Sequence, residues 1–566
     1  MTNSGKATIA MGSTGPADLV FVNGAVYTVD AARSWARAVA VRDGRIVAVG
    51  TDADVRQHTG PRTEVIDLGD GMLVPGFQDA HVHPVGGGLD MLQCDLHDLS
   101  TQEDYLLAIK TYAEAHPERE WILGGGWAMD VFPGGTPTKE LLDAAVPGRC
   151  VFLPNRDGHS AWVSSRALEI AGVTIDTPDP ADGRIERTDG EPSGTLHEGA
   201  ADLVGRHAPE PTSDEMAHGL REGQAYLHSL GITAWQDAIV DDGSQFGRNF
   251  TSYVDAAGRG ELMARVIGAL WWDRHRGDDQ IEGLVELRER GRVGRFAATS
   301  VKIMQDGVCE NFTAAVLDPY LDAHGDATDN RGISFVDPEA LKGSVTELDR
   351  LGFQVHFHAL AERAVRESLD AVEAALLANR PSDNRHHLAH LQVVHPDDIP
   401  RFRTLRAVAN AQPLWAAHES QMDDLTIPFL GEPRWRWQYP FASLVRAGAT
   451  LAMGSDWSVS SPDPLEEMHV AVNRMMPSDY PYKVERHEVF LPDERLDLPT
   501  ALAAFTMGSA YVNHLDRETG SIEVGKLADL TVIDRNLFEH PVDEIADAHV
   551  EQTFVEGKRV FAVPGA

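Results

Sequence analysis

The run FQDAHVH, residues 77–83, decides how the rest of the chain is read. It is strand-like, a helical stretch follows it, and it closes on His81-Val82-His83. Residues two apart in a strand project from one face, so both imidazoles point the same way. A lone HxH pair is a weak sign of metal, because structural histidines produce the same pattern. Its meaning depends on what lies elsewhere in the chain.

Seven further apolar runs are each followed by an Ala/Leu/Glu/Arg-rich helical stretch. They are ITAWQDAI (232–239), ARVIGALWW (264–272), TSVKIMQDG (299–307), FQVHFHA (353–359), HLAHLQV (387–393), AVANAQP (407–413) and TLAMGSDW (450–457). Alternating strand and helix is the pattern of βα units, and eight such units close a parallel barrel. The class is therefore α/β, a (β/α)8 TIM-type barrel over residues 75–514. About 150 residues separate the first run from the second, far too many for one crossover. That stretch holds strand-like pieces of its own, WILGGGW (121–127) and VFLPN (151–155), so residues 88–230 contain an insertion.

Both chain ends read as β structure. DLVFVNGAVYTVD, RAVAVRDGRIVAVG and EVIDLGDGMLVPG carry strand-like runs, with Asn23-Gly24 and Asp43-Gly44 placed as hairpin turns. LADLTVI (527–533) and EQTFVEGKRVF (551–561) resume the pattern. Residues 17–74 and 515–566 can complete one discontinuous domain, since chain termini often lie close together. Residues 1–16 are small and polar and read as frayed.

Residues at the C-terminal ends of barrel strands converge on one mouth. His358 ends strand five, His390 sits in strand six and Asp456 ends strand eight, joining His81 and His83 from strand one. Imidazoles plus a carboxylate suit zinc or a similar first-row ion. Lys302 on strand four is the odd member, because the chain uses 8 Lys against 41 Arg. Flanked by Val301 and Ile303, it either snorkels or has a chemical use. An amine in a metal-lined pocket can be carbamylated to an anionic bridge, which arginine cannot.

Composition narrows the partners. The 566 residues carry a formal charge of −38, which repels phosphate backbones and anionic lipid. No nucleic-acid or membrane partner is expected. Cys94, Cys150 and Cys309 are scattered with no CxxC pair, which fits a reducing compartment. No signal-peptide core and no apolar run of ~20 residues is present, so the expectation is a soluble cytoplasmic protein.

The run LVPGFQDAHVHP (73–84), taken with Lys302, His358, His390 and Asp456, resembles the amidohydrolase superfamily of metal-dependent hydrolases. RDGHSAWVSSRAL (156–168), GEPSGTLHEGA (190–200), HALAERAV (358–365) and GSDWSVSSPDPLEEM (454–468) are similar to the branch containing N-substituted formamide deformylases. The likeness spans residues 18–561 and implies that the terminal segments form a small β-sandwich domain beside the barrel. It implies that His81 and His83 bind one metal ion, and that His358 and His390 bind a second. Lys302 would be a carbamylated (carboxylated) bridge, or an unmodified lysine in a one-metal site. Asp456 would be ligand and general base to a metal-activated hydroxide. The cofactors implied are one or two divalent ions, zinc first among them. The partner is a small-molecule substrate; relatives are often dimers, which leaves a homodimer open.

Two departures from the family pattern stand out. Ala389 replaces a Glu found before the strand-six histidine in many relatives, and Trp415 follows Gln412-Pro413-Leu414 where many have a histidine. Neither removes a ligand, and Trp415 makes the pocket more apolar. His159, beside Asp157, is read as a substrate contact, as are Trp415 and Trp127, while Trp162 and Trp457 are either pocket or core residues. Of His386 and His387, one is expected to face a barrel helix, and His197 and Glu198 read as polar groups at a helix entry.

The leading function is hydrolysis of a non-peptide C–N bond, a linear amide or N-formyl group on an apolar or aromatic substituent. A lactonase or esterase, a decarboxylase or an isomerase on the same fold is the alternative. A non-catalytic scaffold is disfavoured by the unbroken ligand set. LGGGW (123–127) lacks the context of a dinucleotide loop.

Overall fold

The computed structural model describes residues 15–243, 249–481, 484 and 486–565, so most of the start expected to be frayed lies outside them. Eight strands match the eight runs: β1 (Phe77–Val82), β2 (Ile232–Val240), β3 (Arg265–Trp271), β4 (Phe296–Met304), β5 (Gln354–Ala359), β6 (His387–His390), β7 (Val408–Ala411) and β8 (Thr450–Met453). Each pairs in parallel with the next in chain order. Beyond the end of β8, Asp456 N donates to His81 O at 2.7 Å and His83 N donates to Trp457 O at 2.8 Å. These two bonds bring the last strand's exit against the first strand and nearly close the ring.

The alternation within β5 shows why the barrel holds chemistry. Val355 and Phe357 face outward into the main apolar core, while Gln354, His356 and His358 face the interior. On the outside, the helix Pro338–Arg350 starts at Asp337, whose side chain accepts from Glu339 N and Ala340 N. It buries Leu341, Val345 and Leu348, one stripe at helical spacing. The next helix, Glu362–Ala378, presents Val365, Leu369 and Val372 to the same layer. Each such fully buried side chain contributes about 1.5–3 kcal/mol of transfer free energy.

Between β1 and β2 the chain builds a separate six-stranded sheet in the order Gly183–Thr188, Glu191–Glu198, Ser160–Val163, Cys150–Pro154, Trp121–Gly125, Cys94–Asp95. The turn before Ser160 is set by Asn155, whose Oδ1 accepts from Ser160 N at 2.9 Å, and by Gly158 at φ 75°. That turn carries Asp157 and His159 toward the barrel mouth.

The chain ends form two sheets around one apolar core that includes Phe21, Val39, Ile66, Leu73, Val532 and Phe554. Met72–Pro75 pairs antiparallel with Leu530–Ile533, so the two ends share a sheet, and the chain then runs directly into β1. Asp43-Gly44 is a hairpin turn as expected, joining Ala38–Arg42 to Arg45–Gly50. Asn23-Gly24 is not, and this corrects the reading above. The chain does turn there, with Asn23 at φ 60°, but Leu19–Val22 belongs to one sheet and Ala25–Tyr27 to the other. Phe21 and Val26 bury in the core between the sheets, and that burial outweighs local pairing. All three cysteines are free and buried. Among the described residues no helix is long and apolar enough to cross a membrane.

Candidate metal centre

The C-terminal ends of β1, β4, β5, β6 and β8 bring the ligand candidates together. Asp456 Oδ1 lies 2.9 Å from His83 Nε2 and 3.2 Å from His81 Nε2, and its Oδ2 lies 3.8 Å from His390 Nδ1. Lys302 Nζ is 3.3 Å from His81 Nε2. His81, His390 and Asp456 each offer one ligand atom, and these atoms lie within 4.8 Å of one another. His358 stands beside this trio, its ring 4.4 Å from that of His390, and its Nδ1 is 3.4 Å from Asp306 Oδ1. Asp306 is itself pinned by the backbone amides of Leu360, Ala361 and Ala315.

The backbone is bent to make this set. His390 sits at φ 79° and Asp456 at φ 58°, left-handed conformations that cost non-glycine residues of order 1–3 kcal/mol each. They are held by His390 N donating to Gln412 Oε1 at 2.7 Å and by the bond from Asp456 N to His81 O. Gly454 permits the crossing, because a Cβ there would lie 2.4 Å from His81 N.

The donors fit a divalent cation. His390 is 1% exposed and, among the described residues, neither of its ring nitrogens has a hydrogen-bond partner. Burial drives the His81 imidazole down to about 3 and holds His358 and His390 well below the usual histidine range, so all three are neutral. Neutral imidazole is the form that binds metal. Burial pulls Lys302 down to about 7, which leaves a share of free amine at neutral pH.

Above the centre opens a cavity of about 500 Å³ lined by His159, His358, His390, Trp415, Asp456 and Trp457 among others. Trp415 stacks on His390 at 5.4 Å with an 11° tilt, and its Nε1 donates to Ser460 Oγ. His159 lies 5.2 Å from the His358 ring, and its Nδ1 is 3.0 Å from Glu198 Oε1. Burial lowers His159, yet the Glu198 charge reverses this and lifts it to about 9. Glu198 also accepts from Thr313 and Asn311. It is thus an anchor for His159 rather than a polar group at a helix entry.

Trp127 does not reach the cavity. It is fully buried among Phe132 and Trp162 in the core of the six-stranded sheet, and its Nε1 donates to Leu153 O. Its expected place in the substrate pocket is corrected on that ground; its backbone carbonyl instead accepts from Arg156 N at the root of the His159 turn. Trp162 shares that core. His386 is the member of its pair that faces a helix, with Nε2 3.0 Å from Asp349 Oδ1. His387 points into the barrel.

Sequence reasoning passed over His356, Asp306 and Gln236. The first had a visible signal, since His356 and His358 alternate on one strand and must share a face. Asp306 and Gln236 had none, because their partners lie dozens to hundreds of residues away.

A model of the amidohydrolase family matches residues 64–561. The Arabidopsis thaliana Protein LONG AFTER FAR-RED 3 is 32% identical over 562 residues, covering 96% of this chain and 92% of that protein. An N-substituted formamide deformylase from Arthrobacter pascens is 28% identical over 95% of this chain and 97% of its own length. The crystal structure of an uncharacterized metal-dependent hydrolase from Pyrococcus furiosus shares the fold, with TM-score 0.68, 24% identity, and coverage of 92% of this chain and 99% of that one.

Proposed function

The chain belongs to the amidohydrolase family, and from that premise we propose that it hydrolyses a non-peptide C–N bond with the help of one or two divalent ions, zinc first among them. The substrate is a linear amide or N-formyl group on an apolar or aromatic substituent. One observation carries the reading. Buried ligand atoms converge on one point: a ring nitrogen of His390, whose imidazole has no hydrogen-bond partner among the described residues, and His81 Nε2, 3.2 Å from Asp456 Oδ1. Lone pairs facing lone pairs in a dry interior call for a cation between them. The 28% identity with the Arthrobacter deformylase supports the C–N bond as the target.

A divalent ion bound there supplies Lewis acidity and lowers the pKa of water from ~16 toward ~7. His81, His83, His390 and Asp456 would hold it, with His358 beside them and Lys302 as a further ligand. Reaction of the Lys302 amine with carbon dioxide forms an N–C bond and releases one proton, which leaves an anionic carbamate. The Asp456 carboxylate takes a proton from the attacking water and returns it to the leaving nitrogen. His159, kept cationic by Glu198, donates a hydrogen bond to the carbonyl oxygen as charge develops on it. Trp415 and Trp457 line the substituent's side and exclude water.

We also assign residues 17–74 and 515–566 to one β-sandwich domain, and residues 75–514 to the barrel with the segment 88–230 containing its insertion. The shared apolar core of the two terminal sheets supports the first assignment. The separate cores of the six-stranded sheet support the second.

The test is a panel of N-substituted formamides, linear amides and lactones, with released amine measured beside metal content. Amine release with at least one equivalent of metal is expected, and Asp456→Asn should lower turnover by about 10²–10⁴-fold. Active protein holding under ~0.5 equivalent of any transition metal, or full turnover by the Asn variant, refutes the mechanism. Turnover of lactones without amides would favour the lactonase alternative.

A further inference from the structure

Behind His81 the barrel interior contains a row of polar side chains whose hydrogen bonds can be given a direction. It starts at two backbone carbonyls, which only accept. Gln354 approaches Arg385 O at 2.9 Å and Val512 O at 2.7 Å through one side-chain atom, so that atom is the amide nitrogen. Gln354 Oε1 therefore points away, toward Gln236, and accepts from Gln236 Nε2 at 3.0 Å. The Gln236 nitrogen also donates to Asn513 Oδ1 at 3.1 Å.

With its nitrogen so placed, Gln236 presents Oε1 to two imidazoles, His356 Nδ1 at 2.7 Å and His387 Nε2 at 3.0 Å. An amide oxygen only accepts, so both ring atoms carry protons. His387 agrees independently. Asn410 Nδ2 is fixed by donating to Ala80 O at 2.9 Å, and it donates at 3.2 Å to His387 Nδ1, which must be bare. His356 is fully buried and among the described residues no carboxylate is bonded to it; with Nδ1 donating to Gln236, the neutral ring leaves Nε2 bare. That nitrogen lies 2.8 Å from His81 Nδ1, which must donate.

We propose that Gln354, Gln236 and His356 act as positioning residues, a one-way hydrogen-bond chain that locks His81 with its proton on Nδ1 and presents a bare Nε2 to the metal ion. On the far side of the ring, Lys302 Nζ, a donor when protonated, lies 3.3 Å from His81 Nε2, whereas the Asp456 carboxylate at 3.2 Å is an acceptor that competes for a proton there until a cation stands between them. Two of the three positioning residues lie on β5, where Gln354, His356 and His358 share the inward face, so one strand sets His81 and places His358 in the same site. A metal ligand whose other ring nitrogen is held this way needs no tautomer change on binding, and loss of such a partner typically costs 10–100-fold in metal affinity.

The inference rests on the metal centre proposed above but not on its substrate, and its test needs neither. In the full-length protein labelled with 15N-histidine, long-range proton–nitrogen spectra report which ring nitrogen bears hydrogen, and His81→Asn identifies the His81 signal. The expected result before metal is added is a protonated Nδ1 and a bare Nε2 at His81, with Nε2 alone shifting when zinc is supplied. A proton on Nε2 in the metal-free protein overturns the proposal. Zinc affinity by chelator competition is the second readout. His356→Leu should lose 10–100-fold, and His356→Gln, whose amide oxygen can take the His81 proton, should recover most of that loss. Unchanged affinity in the Leu variant also overturns the proposal, and if that variant does not fold the spectrum of the parent protein decides. Absence of amidase activity would sink the hydrolase reading and leave both of these results standing.

Discussion

Replacing Glu198 with Gln removes the charge that keeps His159 protonated while preserving the side chain's shape. The two groups are in contact at 3.0 and 3.1 Å, with side-chain exposures of 12% for His159 and 3% for Glu198. Lifting His159 from 6.5 to about 9 corresponds to about 3 kcal/mol. Lowering Glu198 from 4.5 to about 2 gives a similar figure, to which hydrogen bonds from Thr313 and Asn311 also contribute, and the His159–Glu198 part shared by the two shifts counts once. A histidine raised in the folded state contributes stability below its unfolded pKa and loses it as pH rises through the folded value. A carboxylate lowered in the folded state contributes above its unfolded pKa and loses it as pH falls. The pair therefore stabilises fully between about pH 4.5 and 6.5, and its contribution fades as pH rises through about 9. For a chain of 566 residues, 3 kcal/mol shifts the melting temperature by about 3 °C. Thermal scans of chelator-treated parent and Glu198→Gln protein should differ by that amount at pH 6 and converge above pH 10. In the metal-loaded enzyme the same variant should lose about 10²-fold in turnover with metal content unchanged. A gap in melting temperature that persists undiminished at pH 10, or no gap at pH 6, refutes the reasoning.

Asp349→Ala strips the acceptor from His386, Asn379, Ser382 and Asn384 on the outer face of the barrel, and should cost about 3–5 kcal/mol by denaturant titration. Burial opposes ionisation of Asp349, but these donors hold its carboxyl below the ordinary 3.8, so its contribution is present above that pH and lost as pH falls further. The gap between variant and parent should accordingly narrow in acid and stay constant from pH 5 to 7. Gly454→Ala places a Cβ 2.4 Å from His81 N and 2.8 Å from Asp79 Oδ1, and bound metal should drop below ~0.5 equivalent by elemental analysis. Trp415→Ala removes the ring stacked on His390 and one apolar wall of the cavity. It should raise KM for aromatic substrates by about tenfold, worth ~1.4 kcal/mol, with a smaller change in kcat; equal KM values would remove Trp415 from the substrate's path.

The eight barrel strands were legible because each is a short apolar run whose pattern is local, and all eight appear within a few residues of where the sequence places them. His81, His83, His390 and Asp456 were legible for a related reason: strand ends in a parallel barrel have only one place to converge. Asn23-Gly24 misled because a turn dipeptide specifies a change of direction and not a partner strand, and here the next strand crossed to the opposite sheet. Trp127 misled because aromatic residues look alike in a pocket and in a core. What separates them is the packing of Phe132, Trp162 and the Leu153 carbonyl around it, none of which a linear pattern reports.

The sequence by itself determined the barrel, the family likeness and the identity of the metal-binding candidates, since these depend on periodicity and on residue types at strand ends. Only the tertiary structure decided how those candidates are held. His81 meets His356 across 275 positions of sequence, Gln236 meets Asn513 across 277, and His159 takes its charge from Glu198 39 residues away. Hydrogen-bond direction and protonation state are properties of such contacts. They exist only once burial has removed water as the alternative partner and left each donor facing one acceptor.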